Sequence, residues 1–411
     1  MKKIKHYINQ WAHAALVAAL LLPAGIALSS CSKGEAAVPE AAAPEKELLV
    51  SAEKVSTLQA AALQQLAGVY GASLKDQVRY DVAIYRITYL TTFQDKEIEA
   101  SGLVAVPVNR PTPAPVLSVQ HGTNFKHDEA PSLMADGLNG AEFFAAGGYV
   151  TLMPDYLGFG ASKQVLHPYY NQRYSGLTVV DMIKAAKSLY KREGIAVNDQ
   201  LFLAGYSEGG FVTLAAQKEI ETNPAHGLKV TASGAGAGGY DLSAMLADVV
   251  AGKPYSYPAY LAYVLMSYNT SYGWNRPFSE FYREPYASRL NGLLNGQHSG
   301  GSINRQLTTQ TRELFSDKFM AELKGNGEQA LKQALAENSF LDWVPQSPTR
   351  LYHGTADDIV PFSNSEQVYK RMKAAGAPNL TLVPIKDGTH GSSFLPMLAD
   401  LVPWIQSFET R

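Results

Sequence analysis

Hydrophobic positions along the chain form short apolar runs that alternate with longer segments of helical character. Runs of strand length lie at 115–119, 149–153 and 198–204, and helical segments lie at 140–146 and 177–190. Strands and helices that alternate in this order form βαβ units and a mainly parallel sheet. The pattern therefore predicts an α/β fold.

Two strands are predicted ahead of this region. Residues 80–90 and 98–107 alternate between apolar and polar side chains and are joined near Gln94-Asp95. Such a pair is typical of an antiparallel hairpin at the entry to a mixed sheet. Residues 50–67 show helical spacing, so a helix is predicted before the hairpin.

The pattern of strands and helices continues toward the C-terminus. One strand is predicted at 229–233 and two more at 349–352 and 380–385, with helices at 363–374 and 395–408. With the hairpin, the predicted strands number eight. We therefore expect a mostly parallel eight-stranded sheet flanked by helices.

A long insertion separates the sixth and seventh predicted strands, at about 238–345. It is rich in aromatic residues at its start and has helical patterns around 312–323 and 328–336. Aromatic rings combine apolar area with a polar tip, which suits a pocket wall, although most of them are expected to form the core of the insertion itself. The insertion is interpreted as a helical cap over the site.

The N-terminus has the features of an export signal. A basic start precedes an apolar run at 14–28, which ends in Leu28-Ser29-Ser30-Cys31 and resembles a bacterial lipobox. The interpretation is a lipoprotein signal peptide at 1–30, with Cys31 acylated and anchored in the bacterial cell envelope, in the outer membrane. An uncleaved anchor helix with an incidental cysteine is the alternative.

The segment after Cys31 differs from the rest of the chain. Residues 32–47 are rich in Ala, Glu and Pro and contain one large apolar residue, Val38. Such a composition cannot bury enough surface to fold. We therefore expect a lipidated N-terminus and flexible tether at 31–48, followed by the folded domain at 49–411.

Composition excludes several classes of function. The net charge of −2 lacks the basic excess of a nucleic-acid-binding protein. Cys31 is the only cysteine, so an intramolecular disulfide and a zinc knuckle are both excluded. No histidine–carboxylate spacing is typical of a metal site. We expect no cofactor, no metal and no nucleic-acid partner, and nothing in the pattern indicates the oligomeric state.

The strongest candidate for chemistry is the segment Gly205-Tyr206-Ser207-Glu208-Gly209. It joins the strand at 198–204 to a helix predicted at 210–220, and G-x-S-x-G in this context is the pattern of a nucleophile elbow. Glycine at both positions removes Cβ atoms that would meet neighbouring backbone. Ser207 is therefore the candidate nucleophile, and a tight structural turn is the alternative.

Two later residues complete a candidate catalytic set. Asp357 follows a predicted strand in a Gly-x-x-Asp-x-x-Val-Pro pattern, and His390 is the only histidine that lies after both Ser207 and Asp357. The order Ser, Asp, His is the order of α/β-hydrolases. Asp358 is the near alternative as the acid. Asp155 precedes the nucleophile and is expected to fix a loop instead.

A turn after an earlier strand offers a site for an oxyanion. The run at 115–119 ends in Gln120-His121-Gly122-Thr123, and a strand that closes on His-Gly is the usual position of one oxyanion donor. The backbone N–H groups of Thr123 and Glu208 are the candidate donors. His121 itself is expected to be structural, and a plain strand-ending turn is the alternative.

Together these motifs resemble the α/β-hydrolase superfamily over roughly 75–411. Within it the chain is similar to secretory lipases of the lipase-A type and to bacterial lipoprotein esterases. The matching motifs are Pro154-Asp155-Tyr156-x-Gly158, Gly205-Tyr206-Ser207-Glu208-Gly209-Gly210 and His353-Gly354-Thr355-x-Asp357-x-x-Val360-Pro361. The resemblance implies an α/β-hydrolase fold and hydrolysis of carboxylic esters, with an acyl pocket roofed by the cap.

The chemistry expected of this set is acyl transfer. His390 would act as general base on the Ser207 hydroxyl, Asp357 would orient the imidazole, and water would cleave the acyl-enzyme. The substrate would be a small-molecule, lipid or glycan ester. Two alternatives remain: a serine peptidase of the prolyl-oligopeptidase type, although little sequence precedes the sheet for a propeller, and a non-catalytic surface lipoprotein that binds glycans or peptides.

Overall fold

A nine-stranded sheet organises the described part of the chain, which comprises residues 46–70, 72–134 and 139–409 of a computed structural model. The predicted signal peptide, Cys31 and the predicted tether up to residue 45 lie outside the described residues. Within the described ranges, no helix combines the length and the apolar character needed to cross a bilayer.

The strands and helices alternate along the chain as a βα sequence with an antiparallel start. The strands are β1 (Leu49–Leu58), β2 (Val82–Phe93), β3 (Lys96–Pro107), β4 (Ala114–Gln120), β5 (Val150–Pro154), β6 (Val197–Tyr206), β7 (Ala232–Gly236), β8 (Thr349–Gly354) and β9 (Leu380–Ile385). The helices outside the cap are α1 (Ala60–Tyr70), α2 (Ala72–Gln77), α3 (Ala141–Gly147), α4 (Gln172–Glu193) and α5 (Glu208–Thr222), and, after the cap, α13 (Phe362–Ala374) and α14 (Phe394–Gln406).

The strand order separates an antiparallel edge from a parallel centre. The order is β1-β2-β3-β5-β4-β6-β7-β8-β9. Strands β1, β2, β3 and β5 pair antiparallel in turn, whereas the pairs from β5 through β4 to β9 are parallel. Parallel strands place their carboxyl ends at one edge of the sheet. The predicted α/β class with a mostly parallel sheet is confirmed, with nine strands instead of eight.

Both faces of the sheet are covered by helices, as the βα alternation predicts. Along β6, Leu201 and Leu203 belong to the hydrophobic cluster that contains α4 and α5. Phe202 and Ala204 point the other way and pack with Leu401 of α14. Because successive side chains of a strand face opposite sides, a strand buried on both faces is apolar throughout. This explains the uninterrupted apolar run before Ser207.

The helix predicted over residues 50–67 is wrong in its first half, which forms a strand. Residues 50–67 are not one helix: β1 ends at Leu58 and only α1, from Ala60, is helical. β1 is an edge strand that pairs with β2 alone, and half of its residues are exposed. Its backbone hydrogen bonds to β2 decide its conformation, and its side chains carry little of the two-residue alternation that would have identified it.

The seventh strand also differs from its prediction. It lies at Ala232–Gly236 and not at 229–233, and it is built from small residues. A Cβ added at Gly234 would lie 2.3 Å from a methyl of Leu401, and one added at Gly236 would lie 2.4 Å from the sulfur of Met397. Because α14 packs directly on this strand, small residues replace the apolar run that marks the others.

The cap is helical and lies between β7 and β8, within the predicted insertion. Its helices are α6 (Leu242–Val250), α7 (Pro258–Ser271), α8 (Tyr286–Leu293), α9 (Gly300–Asn304), α10 (Thr311–Leu314), α11 (Asp317–Lys324) and α12 (Gln329–Glu337). Phe281, Tyr282, Phe315 and Phe319 are almost fully buried and pack on one another. These aromatic residues form the core of the cap, as expected for most of them.

Phe211 connects the sheet layer to the cap and should be among the costliest side chains to truncate. It is fully buried in α5, with ring centroids 4.6 Å from Tyr170 and 5.2 Å from Phe340. We expect Phe211→Ala to lower the free energy of unfolding by about 3–5 kcal/mol, because the truncation leaves a cavity. Urea denaturation followed by fluorescence measures this. Leu66→Ala, at a position 41% exposed, is the control and should change stability by less than about 1 kcal/mol.

Candidate active site

The connection between β6 and α5 is a single residue in an unusual backbone conformation. Ser207 has φ 60° and ψ −124°, a region that residues with a side chain rarely occupy. Its N–H donates to the carbonyl of Gly236 at 2.8 Å, and its own carbonyl accepts from the N–H of Gly210 at 2.9 Å. Residues held in such conformations occur mainly at functional sites, where the surrounding structure compensates the strain.

The glycines on either side of Ser207 are required by contact with backbone. A Cβ at Gly205 would lie 2.2 Å from the carbonyl oxygen of Gly209. One at Gly209 would lie 2.0 Å from the carbonyl oxygen of Gln120, at the end of the neighbouring β4. The steric reason predicted for these two glycines is therefore confirmed, and the elbow is locked against the end of β4.

The structure brings together the three candidate residues, which come from the ends of β6, β8 and β9. His390 Nε2 lies 2.9 Å from Ser207 Oγ, and His390 Nδ1 lies 2.7 Å from Asp357 Oδ2. The Asp357 side chain is fully buried, whereas that of His390 is 12% exposed. The hydroxyl, the imidazole and the carboxylate thus form one hydrogen-bonded chain, and its middle member, the imidazole, is partly exposed to solvent.

The carboxylate of Asp357 is surrounded by donors. Oδ1 accepts the N–H groups of Ile359 and Val360, each at 2.9 Å. Oδ2 faces His390 and also His353 Nε2, at 3.3 Å. Burial alone would raise the pKa of Asp357, but the contacts with His353 and His390 outweigh it and hold this pKa well below its usual range. The carboxylate is therefore ionised, while Asp358 is exposed at the surface.

The loop that carries His390 is held by the residue before the nucleophile. The Tyr206 hydroxyl donates to the His390 carbonyl at 2.6 Å, and the two rings lie 5.4 Å apart. Burial raises the pKa of Tyr206, so the hydroxyl keeps its proton and remains a donor. Sequence reasoning gave Tyr206 no role, because it occupies a variable position of the elbow motif.

The turn after β4 passes beside the nucleophile. A Cβ at Gly122 would lie 3.6 Å from the carbonyl oxygen of Tyr206 and 3.9 Å from the Cβ of Ser207. The next residue, Thr123, is held by a 2.9 Å hydrogen bond between its hydroxyl and that of Tyr169. Glu208 is the first residue of α5, where backbone N–H groups lack partners within the helix. The roles of Thr123 and Glu208 as oxyanion donors stay predictions.

The Glu208 side chain forms a buried pair that sequence reasoning missed. Its Oε1 lies 2.6 Å from His167 Nε2, and both side chains are at most 3% exposed. His167 Nδ1 lies 2.7 Å from the Leu157 carbonyl, which can only accept, so Nδ1 carries a hydrogen. The carboxyl and Nε2 then share one further proton. This pair anchors the first turn of α5, and its partners are too far apart in the chain for a local signal.

Asp155 and His121 have structural surroundings, in agreement with the roles predicted for them. The Asp155 carboxylate is buried and accepts the N–H and hydroxyl of Ser132 and the hydroxyl of Ser101. Burial raises the pKa of Asp155. Burial likewise lowers the pKa of His121, whose ring stacks on Tyr156 at 4.1 Å. Both residues fix loops beside the elbow and lie outside the chain of Ser207, His390 and Asp357.

In the described ranges, a metal site would require several ligating side chains that lie close together. No cluster of three or more His, Cys, Asp or Glu side chains there could hold a metal ion.

The chain matches the model of a known protein family. The family model of the secretory lipases matches residues 141–408. Lipase 6 of Candida albicans is 25% identical over 280 residues, which are 63% of this chain and 55% of that protein. The chain spans about half the length of the curated relatives that it matches.

Solved structures resemble nearly the whole described chain. A Legionella pneumophila protein assigned as a hydrolase is 28% identical with a TM-score of 0.81, covering 89% of this chain and 99% of that one. The rice cell wall degrading esterase LipA of Xanthomonas oryzae is 21% identical with a TM-score of 0.76, covering 89% of this chain and 97% of that one. At this identity, the second likeness shows the fold alone.

The close approach of the elbow to β4 gives a sharp test of the geometry. Gly209→Ala places a Cβ against the backbone of β4, so we expect a loss of about 3 kcal/mol in the free energy of unfolding. Chemical denaturation measures the loss. Gly292→Ala is the control, because a Cβ there meets no atom within 4 Å. Equal stability of the two variants would contradict the contact described for Gly209.

Proposed function

Since the chain belongs to the secretory lipase family, we propose that it is a serine hydrolase that cleaves carboxylic esters through an acyl-enzyme. The observation that carries the proposal is the hydrogen-bonded chain from Ser207 through His390 to Asp357. A serine hydroxyl is a poor nucleophile by itself and needs an adjacent base that is in turn oriented by a third group.

The direction of proton transfer follows from the hydrogen bonds. His390 Nδ1 faces an ionised carboxylate, so that nitrogen carries the hydrogen and Nε2 presents its lone pair to Ser207 Oγ. Nε2 takes the hydroxyl proton as Oγ attacks the ester carbonyl, and it returns the proton to the leaving alcohol. Water then cleaves the acyl-enzyme by the same transfers in reverse. Asp357 stabilises the imidazolium formed in each half-reaction.

The negatively charged oxygen of the tetrahedral intermediate needs hydrogen-bond donors to stabilise it. We propose the backbone N–H groups of Glu208 and Thr123 for this task. Support comes from the position of Glu208 at the first turn of α5 and from the approach of the Gly122 turn to Ser207. The buried Glu208–His167 pair and the Thr123–Tyr169 hydrogen bond hold both donors in place before substrate arrives.

The substrate is proposed to be a small-molecule, lipid or glycan ester bound under the cap. Aromatic rings lead from Thr123 into the cap: Tyr169 stacks on Tyr263 at 4.7 Å, and Tyr263 stacks on Phe125 at 4.9 Å. These rings are almost fully buried and form an apolar wall of packed side chains beside the proposed oxyanion site. Among the similar proteins, those of Candida albicans are lipases, and that of Xanthomonas oryzae is a rice cell wall degrading esterase.

Location is proposed from the N-terminal sequence. The motif Leu28-Ser29-Ser30-Cys31 supports export, removal of residues 1–30 and acylation of Cys31. Acyl chains on Cys31 would hold the enzyme at the bacterial outer membrane, with residues 32–47 as the tether.

The nucleophile is tested by Ser207→Ala. We expect turnover of p-nitrophenyl acetate to fall by roughly 10³-fold or more, because the acyl-enzyme cannot form, while the melting temperature stays near that of the wild type. A fluorophosphonate probe should label the wild type and not the variant. Ser256→Ala, an exposed serine of the cap, is the matched control and should keep full activity. A Ser207→Ala protein with most of its activity would overturn the proposal.

Reaction class is tested by a panel of substrates. The panel holds p-nitrophenyl esters of increasing chain length, acetylated and feruloylated sugars, and proline-containing peptides. We expect kcat/KM for the best ester to exceed that for any peptide by roughly 10²-fold or more. Faster cleavage of peptides would favour a peptidase of the prolyl-oligopeptidase type. A folded protein that the fluorophosphonate does not label would favour a non-catalytic binding protein.

A further inference from the structure

A second histidine, His353, contacts the carboxylate of Asp357, at the same oxygen that His390 contacts. His353 is near the end of β8, and its side chain is fully buried. Its Nε2 lies 2.8 Å from the Val360 carbonyl and 3.3 Å from Asp357 Oδ2. Its Nδ1 lies 2.6 Å from the hydroxyl of Ser365. His353 therefore contacts the catalytic acid without being able to meet a substrate.

The hydrogen bonds of His353 determine which nitrogen carries the proton. A carbonyl oxygen can only accept, so Nε2 must carry a hydrogen, which it donates to Val360, while Asp357 Oδ2 lies 3.3 Å from the same nitrogen. Nδ1 then accepts from the Ser365 hydroxyl, which is also fully buried. With Nδ1 as the acceptor of this hydrogen bond and Nε2 as a donor, both ring nitrogens are satisfied.

Val360 closes a ring of contacts around the carboxylate. Its N–H donates to Asp357 Oδ1 at 2.9 Å, while its carbonyl accepts from His353 Nε2 at 2.8 Å. The imidazole thus ties the loop after β8 back to the strand itself. With the N–H of Ile359, two backbone donors besides His390 point at the carboxylate, and His353 Nε2 lies against it at 3.3 Å, so its rotation is restricted.

We propose that His353 is a positioning residue of the reaction: a neutral imidazole, protonated on Nε2 and held so by Ser365, that keeps Asp357 ionised and aims Oδ2 at His390. The inference rests on the proposed hydrolase function, since it assigns His353 to the acid of that catalytic set. The contact with His353 is also one of the interactions that lower the pKa of Asp357.

The proposal has a consequence for the pH dependence of the rate. A carboxylate that loses one donor is more basic, so it stabilises the protonated and inactive form of His390 more strongly. As the pH is lowered, a variant without this donor therefore loses activity at a higher pH than the wild type does. Loss of stability alone would lower the amount of folded enzyme and would leave the midpoint of the acid limb unchanged.

The test compares His353→Leu with His353→Gln. The leucine removes the donor, whereas the amide of glutamine can place an N–H where Nε2 stood. For His353→Leu we expect kcat to fall by roughly 10- to 100-fold with KM nearly unchanged, because a misaligned acid misplaces the base. In the pH profile of kcat/KM, we expect the midpoint of the acid limb to shift to a higher pH by about 0.5–1 unit. His353→Gln should recover most of both effects.

Two further variants keep the test decisive. Ser365→Ala leaves the ring in place but removes the group that fixes its tautomer, so it should shift the acid limb in the same direction by a smaller amount. If His353→Leu does not fold, Ser365→Ala and His353→Gln test the proposal in its place. His226→Gln, whose histidine pairs with Glu219 outside the site, is the control and should behave as the wild type.

A readout without substrate separates this proposal from the proposed function. In proton NMR spectra of the wild type and the variants, the low-field signal of the proton between His390 Nδ1 and Asp357 reports that hydrogen bond. We expect its titration to move to higher pH in His353→Leu. If it moves while no ester is cleaved, the hydrolase function fails and the contact stands. If His353→Leu is folded and has wild-type kcat, acid limb and titration, the proposal for His353 is overturned.

Discussion

The backbone of Ser207 is held in a conformation that the residue would not adopt alone, and the rest of the site depends on that constraint. The turn is closed from three sides: by the carbonyl of Gly236 on β7, by the end of β4 against Gly209, and by the start of α5. Each contact comes from a neighbouring strand or helix of the parallel sheet. The strain is therefore compensated by the fold as a whole, and the hydroxyl stands at the carboxyl edge where the loops after β8 and β9 also arrive.

Around this turn, buried polar groups do most of the positioning. Asp357 is fixed by backbone N–H groups and two imidazoles, and Glu208 by His167. Asp155 is fixed by the hydroxyls of two serines. A buried carboxylate without donors would be protonated or destabilising, so each is enclosed by its own set. The donors of these sets belong to strands, such as Ser101 on β3, or to the loops that connect the strands and helices of the sheet layer.

Much of this arrangement could be predicted from local patterns, and the remainder could not. The elbow glycines, and the order of Ser207, Asp357 and His390, leave short motifs because one turn or one strand end creates each of them. The edge strand β1 and the small-residue strand β7 were misread, because pairing and packing with distant segments decide them. The Glu208–His167 pair joins segments 41 residues apart. His353 stands in a recognisable motif, but its task appears only once Val360 and Ser365 surround it.

The cap leaves the sheet after β7 and returns to it at β8, whereas every hydrogen bond described within the chain of Ser207, His390 and Asp357 is made by residues of the sheet and its own loops. Under the proposed function, bond cleavage is thus encoded by the two stretches of the gene that build the sheet, and the roof over the substrate by the single stretch between them. Replacement of one stretch as a cassette can redirect such an enzyme to new compounds while its chemistry is inherited intact. A scaffold divided in this way is well suited to diversification by recombination.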